Sequence, residues 1–205
     1  MREVTGDPNV APDQSRRPGR PRSDRARQAV LAAAMELAAE EGPRNLHMEA
    51  IAKRAGVSKE TLYRWWPSKT EVFLDAMAEH GQQAVHVPDT GTLLGDLDEF
   101  LRATADAVRH PTASVLRHLA AAAAVDESAA HDIRDRFLAR RRAALGELLD
   151  RAVVRGEIDD GYSALARDFI YGSLWYRLIF RIGPVDDNWA KDTATAIATR
   201  RTSRT

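Results

Sequence analysis

Between Met48 and Trp66 the chain sets two short helical stripes on either side of Gly56-Val57-Ser58, and no other segment restricts the fold as much. Met48, Ile51, Ala52 and Ala55 recur at helical spacing, and Gly56 suits the left-handed position that ends a helix. Ser58 can cap a second helix in which Leu62 and Trp66 share one side, until Pro67 cuts it off. Short helix, tight turn and short helix make the layout of a helix-turn-helix. The same periodicity suits any α-hairpin of a bundle, so residue identity has to decide between the two.

The rest of the chain reads as helices too. Alanine supplies 35 residues and arginine 26, both strong helix formers, and no strand pattern competes. Upstream, Val30, Ala33, Ala34, Leu37 and Ala38 mark a helix that starts at a Ser23 cap and stops at Gly42-Pro43. Downstream, Ser68-Lys69-Thr70-Glu71 fits a capping box and opens a helix to about Val87, with Phe73, Met77, His80 and Ala84 on one face. Pro88-Asp89-Thr90-Gly91 then separates a small head from a larger helical body. In the body, Ile133, Phe137, Leu145, Leu148, Leu149 and Ala152 mark a long helix. From Tyr162 to Ile182 apolar residues spread around most of the circumference, so more than one face has to be covered. The fold class is therefore all-α.

Composition excludes several functions. With no cysteine there is no disulfide scaffold, zinc ribbon, iron–sulfur site or thiol catalysis. The longest apolar run, Leu119 to Val125, is far short of a membrane span, and no secretory signal opens the chain; a cytoplasmic protein with no membrane contact is expected. No phosphate-binding glycine loop, nucleophile elbow or H-E-x-x-H pattern is present, and the six histidines are scattered. No catalytic residue, cofactor or metal site is expected. Net charge is zero, yet six arginines stand between Gln14 and Arg27 against Asp24 alone, so the charge is concentrated where the chain meets the head.

In the second short helix, Arg64 can take guanine bidentately, Tyr63 can meet a thymine methyl or a phosphate, and Thr61 can bond phosphate. Glu60 can accept from cytosine or simply favour the helix dipole. Residues 1–22, with Pro8, Pro12, Pro18 and Pro21, read as a flexible basic arm. Its Gly19-Arg20-Pro21-Arg22 core can attract phosphates or lay Arg20 and Arg22 in an A·T minor groove, and a solvated tail is the plain alternative. Arg140-Arg141-Arg142 reads as a solvated helix face or a basic patch.

The stretch Ile51-Ala52-Lys53-Arg54-Ala55-Gly56-Val57-Ser58-Lys59-Glu60-Thr61-Leu62-Tyr63-Arg64 strongly resembles the DNA-binding domain of TetR-family transcriptional regulators, and the likeness extends over about Asp24 to Met77. Residues 92–205 carry no motif to match. The resemblance implies a homodimeric repressor that binds a palindromic operator on double-stranded DNA and is released by a small organic inducer. Its organisation would be a flexible arm (1–22), a helix-turn-helix domain (23–68), and a linking helix with a ligand-binding and dimerisation domain (69–205). It places Lys59, Glu60, Tyr63 and Arg64 towards bases, and Thr61, Trp65 and Lys69 towards phosphates. His47 stands where the family usually has a Thr or Ser cap, and Trp65 where a histidine is common. For the inducer, polar or aromatic residues on apolar stripes give Phe100, Thr104, His118, Phe137, Trp175 and Tyr176. For the dimer, the last two helices give Ile170, Leu174, Leu178, Trp189, Thr193 and Ile197. A regulator without ligand, a helical protein-interaction module and a helical-bundle enzyme remain as alternatives.

Overall fold

The computed structural model describes residues 20–82, 86–109 and 111–199, apart from the side chains of residues 20–23 and 80–82. The head consists of α1 (Arg20–Glu40), α2 (Met48–Ala55) and α3 (Lys59–Trp65), and α4 (Lys69–Gln82) leads out of it. The body contains α5 (Leu93–Ala107), α6 (Thr112–Ala123), α7 (Glu127–Ile133), α8 (Ala139–Val154), α9 (Asp160–Phe180) and α10 (Asp187–Ala198). A five-residue π-helical turn, Arg134–Leu138, joins α7 to α8 without a break. Among the described residues there is no strand.

Local chemistry sets most boundaries. Gly56 ends α2 at φ 68°, and its N–H and that of Val57 bond back to the carbonyls of Lys53 and Ala52. Ser58 caps α3 by accepting from the Thr61 N–H at 3.1 Å. Asp126, Asp159 and Asp186 cap α7, α9 and α10 in the same way. The start of α1 differs from expectation. The helix begins at Arg20, before Ser23, with Pro21 in its first turn, where a missing N–H costs nothing. At the other end of the body, α9 stops at Phe180 because Arg181 turns left-handed at φ 55°, just before Gly183-Pro184. The basic arm before Arg20 lies outside the described residues.

Packing makes α4 the link between the two parts. It lies against α1 on one side and against α6 and the π-helical turn on the other. Val72, Phe73, Leu74 and Met77 are all nearly or fully buried there. In the body, α5 packs against α8 and α10, and α9 against α6 and α8. The buried carboxylate of Asp96 pins the entry to α5: it accepts from the Thr90 N–H at 2.6 Å, the Thr90 hydroxyl at 2.7 Å and Arg155 at 3.1 Å. Burial alone would raise its pKa, but these donors hold it below the usual value.

Candidate nucleic-acid interface and ligand cavity

In α3 the apolar side chains are anchored and the polar ones are presented. Leu62 is fully buried and Trp66 nearly so, which turns Lys59, Glu60, Tyr63 and Arg64 outward. Thr61 and Trp65 are half-buried at the edge of this face. Lys59 reaches Glu49 at 3.3 Å, a solvent-exposed pair of little energetic weight. The Arg64 guanidinium has no hydrogen bond or ion pair among the described residues, so its planar donor fork stays free for a base edge. A free, exposed arginine beside an exposed tyrosine on a rigidly seated helix suits a major groove.

Two departures concern the rim of this surface. Lys69 is half-buried, and its ammonium donates to the carbonyls of Arg44 at 2.9 Å and Leu46 at 3.0 Å. Burial lowers its pKa. The group expected to meet phosphate is thus also the tie between α4 and the turn before α2. His47 precedes α2 in extended conformation and its side chain makes no cap bond. Arg20 and Arg22 fall within the first turn of α1, but their side chains lie outside the described residues.

Behind α3, one carboxylate gathers three elements. Asp75 of α4 accepts from the Trp66 indole N–H at 2.9 Å, from Arg27 of α1 at 2.9 Å, and from Arg136 of the π-helical turn. Arg136 also donates to Glu71 at 2.8 Å. Burial raises the Asp75 pKa, but the Trp66, Arg27 and Arg136 donors outweigh it and keep the group ionised.

A narrow cavity of about 30 Å³ lies between α4, α5, α6, the π-helical turn, α8 and α9. Of the six residues expected there, Thr104, Phe137 and Trp175 line it. The other three do not. Phe100 is buried in the core a turn earlier on α5. His118 turns to α4, with Nε2 3.2 Å from the Thr70 hydroxyl and its ring edge-on to Phe73 at 5.5 Å. Tyr176 is 56% exposed and packs on Phe180. Met77, Tyr171 and Arg141 line it as well, outside the expected set, together with apolar residues such as Leu116 and Leu174. Arg141 does carry a sequence signal: it continues the stripe Ile133, Phe137, Leu145 at four-residue steps, an arginine in an apolar register. It is therefore not part of a solvated face.

Of the six residues expected at the dimer, five are occupied within the protomer itself. Ile170, Leu174 and Leu178 are buried within the protomer, as are Trp189 and Ile197, and Thr193 is half-buried. Trp189 even donates its indole N–H to Ser173 of α9 at 3.2 Å. The reason is that α9 is apolar on two opposite faces. One serves the protomer's own core, while Leu165, Phe169, Tyr176, Ile179 and Phe180, on the other, are between 42% and 66% exposed. Among the described residues no cluster suits a metal ion, and no helix is long and apolar enough to cross a membrane.

Residues 30–76 match the family described as bacterial regulatory proteins, tetR family, and residues 87–197 match the tetracyclin repressor-like C-terminal domain. The uncharacterized HTH-type transcriptional regulator YdeS of Bacillus subtilis (strain 168) is 33% identical over 180 residues, spanning 87% of this chain and 90% of YdeS. The regulator AqdR of Rhodococcus erythropolis is 27% identical, over 84% of this chain and 83% of its own. Among solved structures, the TetR family regulator SCO0332 superposes with a TM-score of 0.71 at 34% identity, covering 86% of this chain and 98% of that one. FadR of Bacillus subtilis, solved in complex with stearoyl-CoA, shares the fold with a TM-score of 0.70 at 19% identity, over 85% of this chain and 99% of its own.

Proposed function

This chain belongs to the TetR family of helix-turn-helix, DNA-binding transcriptional regulators, and from that premise we propose that it represses transcription as a homodimer on a palindromic operator and releases DNA when a small organic ligand enters the body cavity. The observation that carries this reading is α4, one rigid element in contact with both sites. Its first turn holds the loop before α2 through Lys69, and its Asp75 holds Trp66 at the end of α3. Further along, Met77 forms part of the cavity wall.

The cavity is too tight for a ligand as it stands. A volume of about 30 Å³ has room for little more than water, so an occupant has to part the walls. Met77 stands on α4, while Phe137 and Leu138 belong to the π-helical turn whose Arg136 grips Glu71 and Asp75. A ligand that binds better when α4 is displaced must weaken DNA binding, and DNA must weaken ligand binding by the same factor. A coupling of about 1 to 3 kcal/mol is typical of such linkage.

Base contacts in this reading come from Lys59, Glu60, Tyr63 and Arg64, with Thr61, Trp65 and the remaining donor of Lys69 at the phosphates. The second copy docks on the exposed face of α9, at Leu165, Phe169, Tyr176, Ile179 and Phe180, because so continuous an apolar stripe is unfavourable in water. Selection of bound duplexes from a random pool tests the whole reading. The expected product is an inverted repeat, bound by two copies of the chain in sedimentation. Enrichment of no motif, or of a single half-site bound by one copy, would overturn it.

A further inference from the structure

We infer that the body cavity takes an organic carboxylate with an aliphatic or aromatic body, its carboxylate seated on the Arg141 guanidinium. This rests on the reading of the cavity as a ligand site and adds the chemical class.

The first argument is the contrast between Arg141 and its neighbours. Arg142, the next residue, meets Asp168 at 3.6 Å, and Arg136, just over a turn earlier, meets Glu71 at 2.8 Å and Asp75. Arg141 instead points to the cavity, has no ion pair among the described residues, and makes one long contact of 3.4 Å to the Thr104 hydroxyl. Among the described residues no acidic side chain lines that cavity. Burial pushes the Arg141 pKa down from its ordinary value, and an arginine stays protonated nonetheless. A partly desolvated cation without a counter-charge is costly, and an anion of matching geometry relieves that cost.

The second argument concerns which donors are free. The Tyr171 hydroxyl already donates to the Arg141 carbonyl at 2.7 Å, and the Thr104 hydroxyl donates to the Phe100 carbonyl at 2.9 Å. Neither hydroxyl has a proton left to donate to a ligand without losing that bond. The guanidinium keeps most of its donors, in the fork that receives a carboxylate through two parallel bonds. The third argument is the remaining wall: Met77, Leu116, Phe137, Leu174 and Trp175 offer no charge and receive a hydrocarbon or aromatic body. A cationic ligand would face Arg141 unpaired.

The test uses the full chain and matched pairs of probes, decanoate against decanol and phenylbutyrate against phenylbutanol, with affinities from calorimetry. Each acid should bind at least about tenfold more tightly than its alcohol, the ratio that one charge-assisted hydrogen bond supplies. Arg141→Gln should erase that ratio, and Arg141→Lys should keep part of it. Without any ligand, Arg141→Met should leave the melting temperature unchanged or raise it, because it removes an uncompensated charge. The inference is overturned if acid and alcohol bind alike, if Arg141→Gln keeps the acid preference, or if Arg141→Met melts far below the wild type. Equal binding of acid and alcohol removes only the anion. Failure of every probe to bind removes the cavity as a ligand site as well. An acid that binds through Arg141 but leaves operator affinity unchanged upholds the ligand class and defeats the relief of repression.

Discussion

Helices α3 and α9 carry the two surfaces proposed to meet other macromolecules, and they choose their outward faces by different rules. On α3 the apolar Leu62 and Trp66 lie together and the polar residues lie opposite, so burial of one side leaves no freedom for the other. On α9 both sides are apolar. Ile170, Leu174 and Leu178 look as suitable for a partner as Phe169, Tyr176 and Ile179, and the fold assigns the first group to the protomer and exposes the second. A helix with one apolar stripe announces its orientation; a helix with two leaves it to whichever neighbours fit.

The contrast can be broken most severely by adjacent substitutions on α9. Ile170→Glu puts an unpaired charge where the side chain is 1% exposed, and should cost on the order of 4 kcal/mol, enough to unfold the chain in a thermal melt. Phe169→Glu, at a residue 56% exposed, should keep the helical circular dichroism and sediment as a monomer that no longer retains operator. If Phe169→Glu stays dimeric while folded, the outer face of α9 is not the interface.

A smaller effect sharpens the other side of the comparison. Arg64→Ala should lower specific affinity by about 1 to 3 kcal/mol and relax one position in each half-site, since the guanidinium is exposed and free. Lys69→Met should behave differently, because its ammonium bonds two carbonyls: the melting temperature should fall along with affinity for all sequences. An unchanged selected motif for Arg64→Ala would remove it from the base contacts.

The smallest effect lies where the two regions join. Burial first, then the charges of Lys69 and Arg44, hold the His118 imidazole below its ordinary pKa of 6.5. The unfolded chain therefore takes up this proton at a higher pH than the folded one. Its contribution to stability is complete above about pH 6.5 and is lost as pH falls towards the lowered folded value. The melting temperature should drop between neutral and mildly acidic pH, and His118→Phe should flatten that drop. A slope identical in the variant would place the titrating group elsewhere.

Some of this was legible because it is local. The Gly56 turn, the Ser58 cap, the Ser68 bond to the Glu71 N–H and the buried sides of α2 and α3 all follow from residues within a turn or two of one another. Thr104, Phe137 and Trp175 were expected at the cavity as aromatic or polar residues on apolar stripes, but the same criterion selected Phe100, His118 and Tyr176, which lie elsewhere. The π-helical turn has no local signature comparable to a glycine or a capping serine, yet it sets Arg136 towards α4 and Phe137 towards the cavity.

The sequence by itself determined the all-helical class, the helix-turn-helix and the outward side of α3, because backbone propensity, capping and a single apolar stripe are short-range properties. Only the tertiary structure decided which face of α9 the protomer keeps, that Asp75 joins Trp66, Arg27 and Arg136, and that Arg141 stands at the cavity without a counter-charge among the described residues. Those depend on which distant residues arrive at the same place, and a helix periodicity carries no information about its neighbours.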